Sequence, residues 1–259
     1  MLTWTIGHFL ALCIGLSLGL IGGGGSILAV PILVYVLGLE AKAAIAMSLA
    51  VVGIVSLIGV VPHWRQGNVN LKTAIGFTPP AMIGAFLGAR LAALPFVTDT
   101  LQLVSFAIIM LIASYFMIRK PKAPLKDAVV LSSPELKHQP KYPWLAITLE
   151  GLGVGIITGF VGVGGGFAII PALVLLGGIP IKEAIGTSLL IITFKSATGF
   201  FGYLSQVNID WNLMLTFTLA ATLGVLGGAS LTKKIQAAKL QQGFGYFLIA
   251  IAIFILIKR

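Results

Sequence analysis

Charged residues are scarce in this 259-residue chain: Lys, Arg, Asp and Glu together make up 9% of it, whereas hydrophobic residues make up 58%. Soluble domains usually carry about 25% charged residues. So few charges cannot cover the apolar surface of a soluble fold of this length, which excludes ordinary soluble enzymes and disordered proteins. The composition therefore predicts an all-α polytopic membrane protein.

Cysteine, histidine and nucleotide-binding motifs are also sparse. The single cysteine, Cys13, cannot form an internal disulfide or a Cys-based zinc site, and the three histidines lack metal-ligand spacing. No Gly-Lys-Ser/Thr follows the glycine runs, which argues against a Walker loop, and no Ser/His/Asp arrangement is visible. We therefore expect no metal, no cofactor and no enzymatic activity.

The net charge of +10 comes from basic residues that lie mostly at the ends of apolar runs and in one polar stretch, residues 119–142. Multi-spanning proteins mark their cytoplasmic loops in this way. No basic stretch alternates with aromatic residues as a base-stacking surface would, so no nucleic acid partner is expected. Membrane lipids are expected partners, and assembly into a homo-oligomer is left open.

Eight apolar runs divide the chain into two transmembrane halves, 1–118 and 143–259, joined by the cytoplasmic loop 119–142 within one membrane domain. Six runs suit single helices of roughly 20 residues. The first run of each half is longer, at 35 and 36 residues, and contains a glycine cluster followed by proline. Four glycines cost roughly 4 kcal/mol of helix propensity relative to alanine, so both long runs should break there. The six single-helix runs cover about 43–62, 73–94, 100–118, 184–204, 211–232 and 241–257.

A constant offset of 140 residues aligns the two halves without a gap from residue 22 to residue 89. The aligned identities include Gly22 with Gly162, Pro31 with Pro171, Ser48 with Ser188, Ser56 with Ser196, and Gly84 with Gly224. A register held over this length indicates an internal duplication. Each half is then a glycine-broken, re-entrant first segment followed by three transmembrane helices.

The basic residues favour an inverted arrangement of the halves. Lys195 is left out of both counts because it lies within a span. If each broken run returns to the side where it began, 12 of the other Lys and Arg lie in the cytoplasm and 4 lie outside; if each run crosses once, the counts are 10 and 6. The positive-inside rule prefers the first division. The second arm of each broken run, about 12 residues or 18 Å of helix, is also too short for a hydrocarbon core of about 30 Å.

The glycine breaks are the predicted substrate site. A helix that restarts inside the membrane exposes unpaired backbone N–H groups and about half a positive charge, which together bind anions. Paired glycine-interrupted segments in two halves point to the binding site of a transporter. Scattered pairs such as Gly84 and Gly88 are expected to serve helix packing instead. The predicted site comprises Gly22, Gly23, Gly24, Gly25 and Ser26 in the first half and Gly162, Gly164, Gly165 and Gly166 in the second.

Lys195 lies at the centre of the run 184–204, where a lysine is costly unless it is paired or hydrated. We expect it to face the central cavity and to bind or compensate a substrate anion; a structural ion pair is the alternative. Its counterpart in the first half is Val55, which predicts one binding site and not two.

Four further polar residues have two interpretations each. Glu150 is a candidate for proton coupling or for pairing with Lys195, but the nearby Trp144 also fits a position at the membrane interface. The hydroxyls of Ser48, Thr187 and Ser188 are candidate ligands of an oxyanion or partners of their own helix carbonyls.

Two motifs in each half resemble the TauE/SafE family of membrane proteins, named for sulfite exporters. The glycine breaks with their prolines span Gly22–Pro31 and Gly162–Pro171, and the downstream motifs are Ala46-Met47-Ser48-Leu49 and Gly186-Thr187-Ser188-Leu189. The resemblance covers nearly the whole chain and includes the duplication. It implies a permease for small sulfur-containing anions such as sulfite, sulfoacetate or thiosulfate in the cytoplasmic membrane of a bacterium or archaeon.

The sequence thus predicts a secondary transporter whose partner is a small sulfur oxyanion or organosulfonate. Since no ATP-binding motif is visible in this chain, a gradient, the membrane potential or a partner protein must drive transport, and an inside-negative potential favours export of an anion. An anion channel and a non-transporting assembly factor of a membrane complex are the alternatives.

Overall fold

The computed structural model describes residues 2–118, 144–161, 165–166, 169–170, 173, 179–231 and 237–257, so the predicted loop 119–142 lies outside the described residues. The regular elements within these segments are all helical, which confirms the predicted all-α class. The long helices are α1 (Leu2–Ile21), α2 (Ala41–Arg65), α3 (Leu71–Leu91), α4 (Asp99–Ile118), α5 (Trp144–Val161), α6 (Ile181–Tyr203), α7 (Trp211–Leu231) and α8 (Ala237–Ile257).

The six apolar runs expected to form single helices all do so, as α2, α3, α4, α6, α7 and α8. The third helix of each half has a side-chain cap at its start: Asn70 accepts from the Thr73 amide at 3.1 Å, and Asp210 accepts from the Leu213 amide at 3.0 Å. Within the described part of the chain, five helical segments are long and apolar enough to cross a membrane, namely Thr3–Ile21, Ala41–Arg65, Leu71–Leu91, Lys182–Tyr203 and Trp211–Leu231.

The first helix of each half packs against the third helix of the other half. α1 lies on α7 and α5 lies on α3, with backbone close to backbone in both pairs. A methyl group at Gly15 or Gly19 would overlap the backbone of α7, and one at Gly84 or Gly88 would overlap the backbone of α5. Small residues permit this approach in membranes, where helices associate through close packing. The expected packing role of Gly84 and Gly88 is confirmed.

The contact register shows how these helices run. Gly15 faces Ala221 and Gly19 faces Val225, so α1 and α7 are parallel, and the contacts between α3 and α5 ascend in the same way. The two second helices, α2 and α6, cross in the opposite sense at the centre of the bundle. The two halves therefore interlock and do not form separate bundles.

The antiparallel contact of α2 with α6 follows from two glycine positions. Gly53 lies against Ser196, whereas Gly59 lies against the side chain of Leu189, so the contacts descend along α6 as they ascend along α2. Most of α2 is buried, as expected of a helix enclosed by neighbours on several sides. α2 and α6 thus form the inner layer to which both outer pairs attach.

The segment after α1 folds back along that helix. It consists of a 3-10 helix (Gly23–Leu28), one α-helical turn (Ala29–Pro31) and a π-helical turn (Ile32–Val36), which we call the first arm. At its start the arm lies against Leu18, and just after its end Leu37 lies against Gly7. The chain has thus returned toward the level where α1 began before α2 starts.

Alanine at Gly155 should lower the thermal stability, whereas alanine at Gly153 should not. A methyl group at Gly155 would overlap the carbonyl of Ala81 in α3, but one at Gly153 has nothing within 4 Å. Overpacking costs about 1–3 kcal/mol, while Gly→Ala at an open helical position gains up to about 1 kcal/mol. Thermal midpoints of the two detergent-purified variants test this. An equal drop in both would contradict the α3–α5 contact.

Candidate functional site

The first glycine break begins where α1 ends. Gly22 has a φ of 75°, in the left-handed region that favours glycine, and a Cβ there would lie 2.9 Å from the Ser188 hydroxyl. The 3-10 helix that follows contains Gly24 and Gly25. The Ser26 hydroxyl is buried and donates to the Gly23 carbonyl at 2.7 Å. The expected break is therefore present, and one of its backbone carbonyls accepts a hydrogen bond from the serine of the same segment.

The second break is described at Gly165 and Gly166, whereas the predicted site residues Gly162 and Gly164 lie outside the described residues. Gly165 has a φ of 75°, and its carbonyl accepts from the Ile169 amide at 3.0 Å, which starts a helical turn. The residue aligned with Gly165 is Gly25, which belongs to the 3-10 helix. Aligned glycines of the two breaks therefore differ in conformation.

The two breaks meet inside the bundle. A methyl group on Gly23 would overlap the Cα of Gly166, and the reverse is equally true, so only glycine fits at both positions. The side chain of Ile192, the middle residue of α6, lies beside both glycines. The structure thus brings the two predicted glycine clusters together, halfway along an inner helix.

Side chains of the inner helices bind the carbonyls that α1 and α5 leave unsatisfied at their ends. His63 of α2 contacts the Gly19 carbonyl at 3.3 Å; since a carbonyl only accepts, its Nε2 is the donor. Tyr203 of α6 donates to the Phe160 carbonyl at 2.7 Å, and Gln102 of α4 donates to the same oxygen at 3.1 Å. His63 and Tyr203 are 140 residues apart, so the duplication places a donor at each break.

Lys195 of α6 is fully buried beside the second break. Its Nζ donates to the Thr158 hydroxyl of α5 at 2.6 Å, and a Cβ on Gly165 would lie 2.6 Å from that Nζ. The Thr158 hydroxyl in turn donates to the Val154 carbonyl at 2.6 Å. This chain of hydrogen bonds holds a basic group against the backbone at the junction of the two breaks.

The first half lacks an equivalent of this polar pair. The residues aligned with Lys195 and Thr158 are Val55 and Leu18, and both are fully buried. At these two aligned positions the second half therefore has a lysine and a threonine where the first half has apolar side chains, which makes the centre of the bundle electrostatically asymmetric.

The three predicted hydroxyls have partners within the protein. Ser48 donates to the Ile45 carbonyl at 2.9 Å and Ser188 donates to the Ile185 carbonyl at 2.8 Å, so both bond back to their own helices. Thr187 accepts from the Asn70 amide at 2.8 Å, which ties the α2–α3 loop to the start of α6. A hydroxyl that donates to a carbonyl must rotate before it can donate to an anion.

Glu150 lies two turns before Thr158 on α5, about 12 Å away along the helix axis. It is partly exposed, and among the described residues it forms no hydrogen bond or ion pair. The structure therefore does not bring Glu150 to Lys195, whose contact on α5 is Thr158. A coupling role for Glu150 stays a prediction.

Sequence reasoning missed three polar residues near the junction. Thr158 contacts Lys195. The sequence feature that could have identified it is that the second half has a threonine where the aligned position of the first half has a leucine. Ser56 and Ser196 are an aligned pair on α2 and α6, and both are fully buried hydroxyls that have no hydrogen-bond partner among the described residues. The sequence shows that the two halves share this serine, but it does not show that the hydroxyls lack hydrogen-bond partners among the described residues.

Comparison with known proteins adds independent information. The family model for the sulfite exporter TauE/SafE matches residues 8–255. Two relatives from Xylella fastidiosa, strains 9a5c and Temecula1, each called "Probable membrane transporter protein", are 32% and 30% identical over 94% of this chain and 91% of theirs. A "Probable membrane transporter protein" of Methanocaldococcus jannaschii is 33% identical over 42% of this chain and 43% of its own.

No solved structure matches the chain. The family match spans nearly the entire sequence and agrees with the helical, membrane-spanning architecture. The chain therefore belongs to the sulfite exporter TauE/SafE family of membrane transporters.

Proposed function

We propose that the chain is a secondary transporter that moves a small sulfur-containing anion, such as sulfite, sulfoacetate or thiosulfate, across the cytoplasmic membrane, with export favoured. The observation that carries the proposal is the buried Lys195 amine beside the junction of the two glycine breaks. A cationic amine and backbone N–H groups at helix starts are complementary to a small oxyanion. The family name supports a sulfur anion as the cargo.

Contact between the breaks favours a carrier over a channel. The backbones of Gly23 and Gly166 touch, so an anion cannot lie between them in this conformation. The breaks must separate for the anion to reach both sets of N–H groups. Binding would then be coupled to a change of conformation, which is the requirement for alternating access.

We further propose that the halves 1–118 and 143–259 are inverted repeats whose connecting loop, 119–142, lies in the cytoplasm. The aligned helices α2 and α6 are antiparallel, which inverted repeats require. The hydrogen bond from Asn70 to Thr187 places the α2–α3 loop on the same side as the start of α6. In a parallel duplication these two segments would lie on opposite sides.

The helix contacts argue against the sequence halves as the units that move. Rocking one half against the other would separate α1 from α7 and α5 from α3, the two pairs with backbone-to-backbone contact. We propose that each of these mixed pairs moves as a rigid unit against the inner layer of α2 and α6. The breaks separate when the pairs move apart, since one break follows α1 and the other follows α5.

Replacing Lys195 with valine, the residue at its aligned position, should strongly reduce transport at substrate concentrations below saturation. Loss of one charge-assisted hydrogen bond, worth about 1.5–3 kcal/mol, should weaken anion binding by about 10- to 150-fold. Uptake of sulfite, thiosulfate, sulfoacetate and sulfate into proteoliposomes measures the effect. Lys182→Ala is the matched control, because Lys182 is an exposed lysine of the same helix.

In that assay the proposed site is wrong if folded Lys195→Val protein transports as well as the Lys182→Ala control. Lack of transport of any of the four anions by the folded parent would instead reject the substrate class. Current through planar bilayers far above carrier turnover would favour the channel.

An inside-negative potential should drive accumulation of the substrate outside. For a singly charged anion, 100 mV corresponds to about 2.3 kcal/mol, or about a 50-fold concentration ratio at equilibrium. The measurement is efflux from loaded proteoliposomes with a potassium diffusion potential imposed at constant pH. Efflux that ignores the sign of the potential would show that transport is electroneutral and would remove this driving force.

The inversion predicts opposite labelling of two aligned loop regions. In a Cys13→Ser background, Lys72→Cys should react with a membrane-impermeant maleimide only from the cytoplasmic side, and Asn208→Cys only from outside. Both native side chains are exposed, so neither substitution should disturb the fold. Cytoplasmic labelling of both positions in oriented vesicles would contradict the proposed topology.

A further inference from the structure

An open groove of about 580 Å³ lies between α2 and α7, away from the junction of the breaks. Five of its lining residues are apolar, and only two, Arg65 and Gln66, are polar. The apolar lining residues are Leu57, Ile58, Val61, Pro62 and Leu226. The groove therefore has a hydrocarbon-lined body and a single cationic residue.

The charge lies at one end of the groove. Leu57, Val61 and Arg65 follow one another at four-residue spacing, so they share one face of α2 and extend over about 12 Å. Leu57 is 52% exposed and Val61 is 48% exposed, so this face is open to the surroundings of the bundle. Arg65 is the last residue of the helix.

The neighbour of Arg65 marks the depth of this end. Trp64 is 50% exposed, and tryptophan concentrates at the membrane–water interface. The apolar residues lie one and two turns deeper along the helix, on the hydrocarbon side. The groove thus has the polarity of a phospholipid, with the cation at headgroup level and the apolar part at acyl-chain level.

Arg65 is exposed, and no described residue forms an ion pair or hydrogen bond with it. A guanidinium presents several N–H donors in a planar fork that matches a phosphate. By contrast, the other arginine near a described helix end, Arg90, lies 5.3 Å from the ring of Phe86 and does not line the groove. Arg65 therefore has an apolar groove beside it that could hold a ligand, whereas the guanidinium of Arg90 lies over an aromatic ring.

We propose that this groove binds an anionic phospholipid, with an acyl chain along Leu57, Val61 and Leu226 and its phosphate at Arg65. A soluble anion would use the cation but leave the apolar lining uncovered. A zwitterionic lipid such as phosphatidylcholine would cover the lining, but its choline cation would offset the negative charge that its phosphate presents to Arg65. The site is separate from the substrate junction and does not rest on the proposed transport activity.

The test is native mass spectrometry of the full chain in detergent with phosphatidylglycerol or phosphatidylcholine added. Arg65→Gln should reduce retained phosphatidylglycerol about fivefold, the factor for about 1 kcal/mol from one basic residue near anionic lipid. Phosphatidylcholine retention should be unchanged. Arg90→Gln is the matched control and should bind phosphatidylglycerol as the parent does.

A second variant, Val61→Trp, fills the apolar part of the groove and should reduce retention of both lipids. Equal loss of phosphatidylglycerol in Arg65→Gln and Arg90→Gln would overturn the proposal, because it would show attraction to basic residues in general. Displacement of the lipid by an equal concentration of glycerol phosphate, which has no acyl chain, would overturn it as well. Both arginines are exposed, and thermal midpoints of the variants verify folding.

Discussion

A helix that breaks inside a membrane leaves backbone groups that lipid cannot hydrogen-bond, so those groups must face protein. This constraint shapes the centre of the molecule. The two breaks lie against each other at Gly23 and Gly166, and His63 and Tyr203 bind carbonyls near the ends of the preceding helices. The inner helices α2 and α6 supply the protein surface that covers the two breaks. In the proposed mechanism, the same backbone groups become available to an anion only when the breaks separate.

The helices and the breaks could be predicted from the sequence because they depend on local signals. Apolar run length fixed α2, α3 and α7 to within a few residues, and the glycine clusters marked where α1 ends. The interlocking of the halves could not be predicted, because an offset of 140 aligns Gly84 with Gly224 without saying which helix each one touches. Gly15 and Gly19 contact α7, and this contact between helices of different halves can be seen in the structure but not in the sequence.

The candidate site was predictable in part for the same reason. Lys195 was conspicuous because a buried lysine in an apolar run is costly, but its contact with Thr158 depends on how α5 and α6 cross. The hydroxyls of Ser48 and Ser188 had two equal interpretations, and the structure shows them bonded back to their helices. The duplication supplies a glycine break in each half, whereas lysine at the position aligned with Val55 places a basic amine beside one of them.

We propose that an anion binds between the separated breaks beside Lys195. A cryo-electron microscopy structure of the full chain in a lipid nanodisc, with thiosulfate at saturating concentration, would test this site by direct observation. We expect density for the anion between Gly23 and Gly166, within hydrogen-bond distance of the Lys195 amine, with the two backbones no longer in contact. An anion bound elsewhere, while these glycines still touch, would rule the site out.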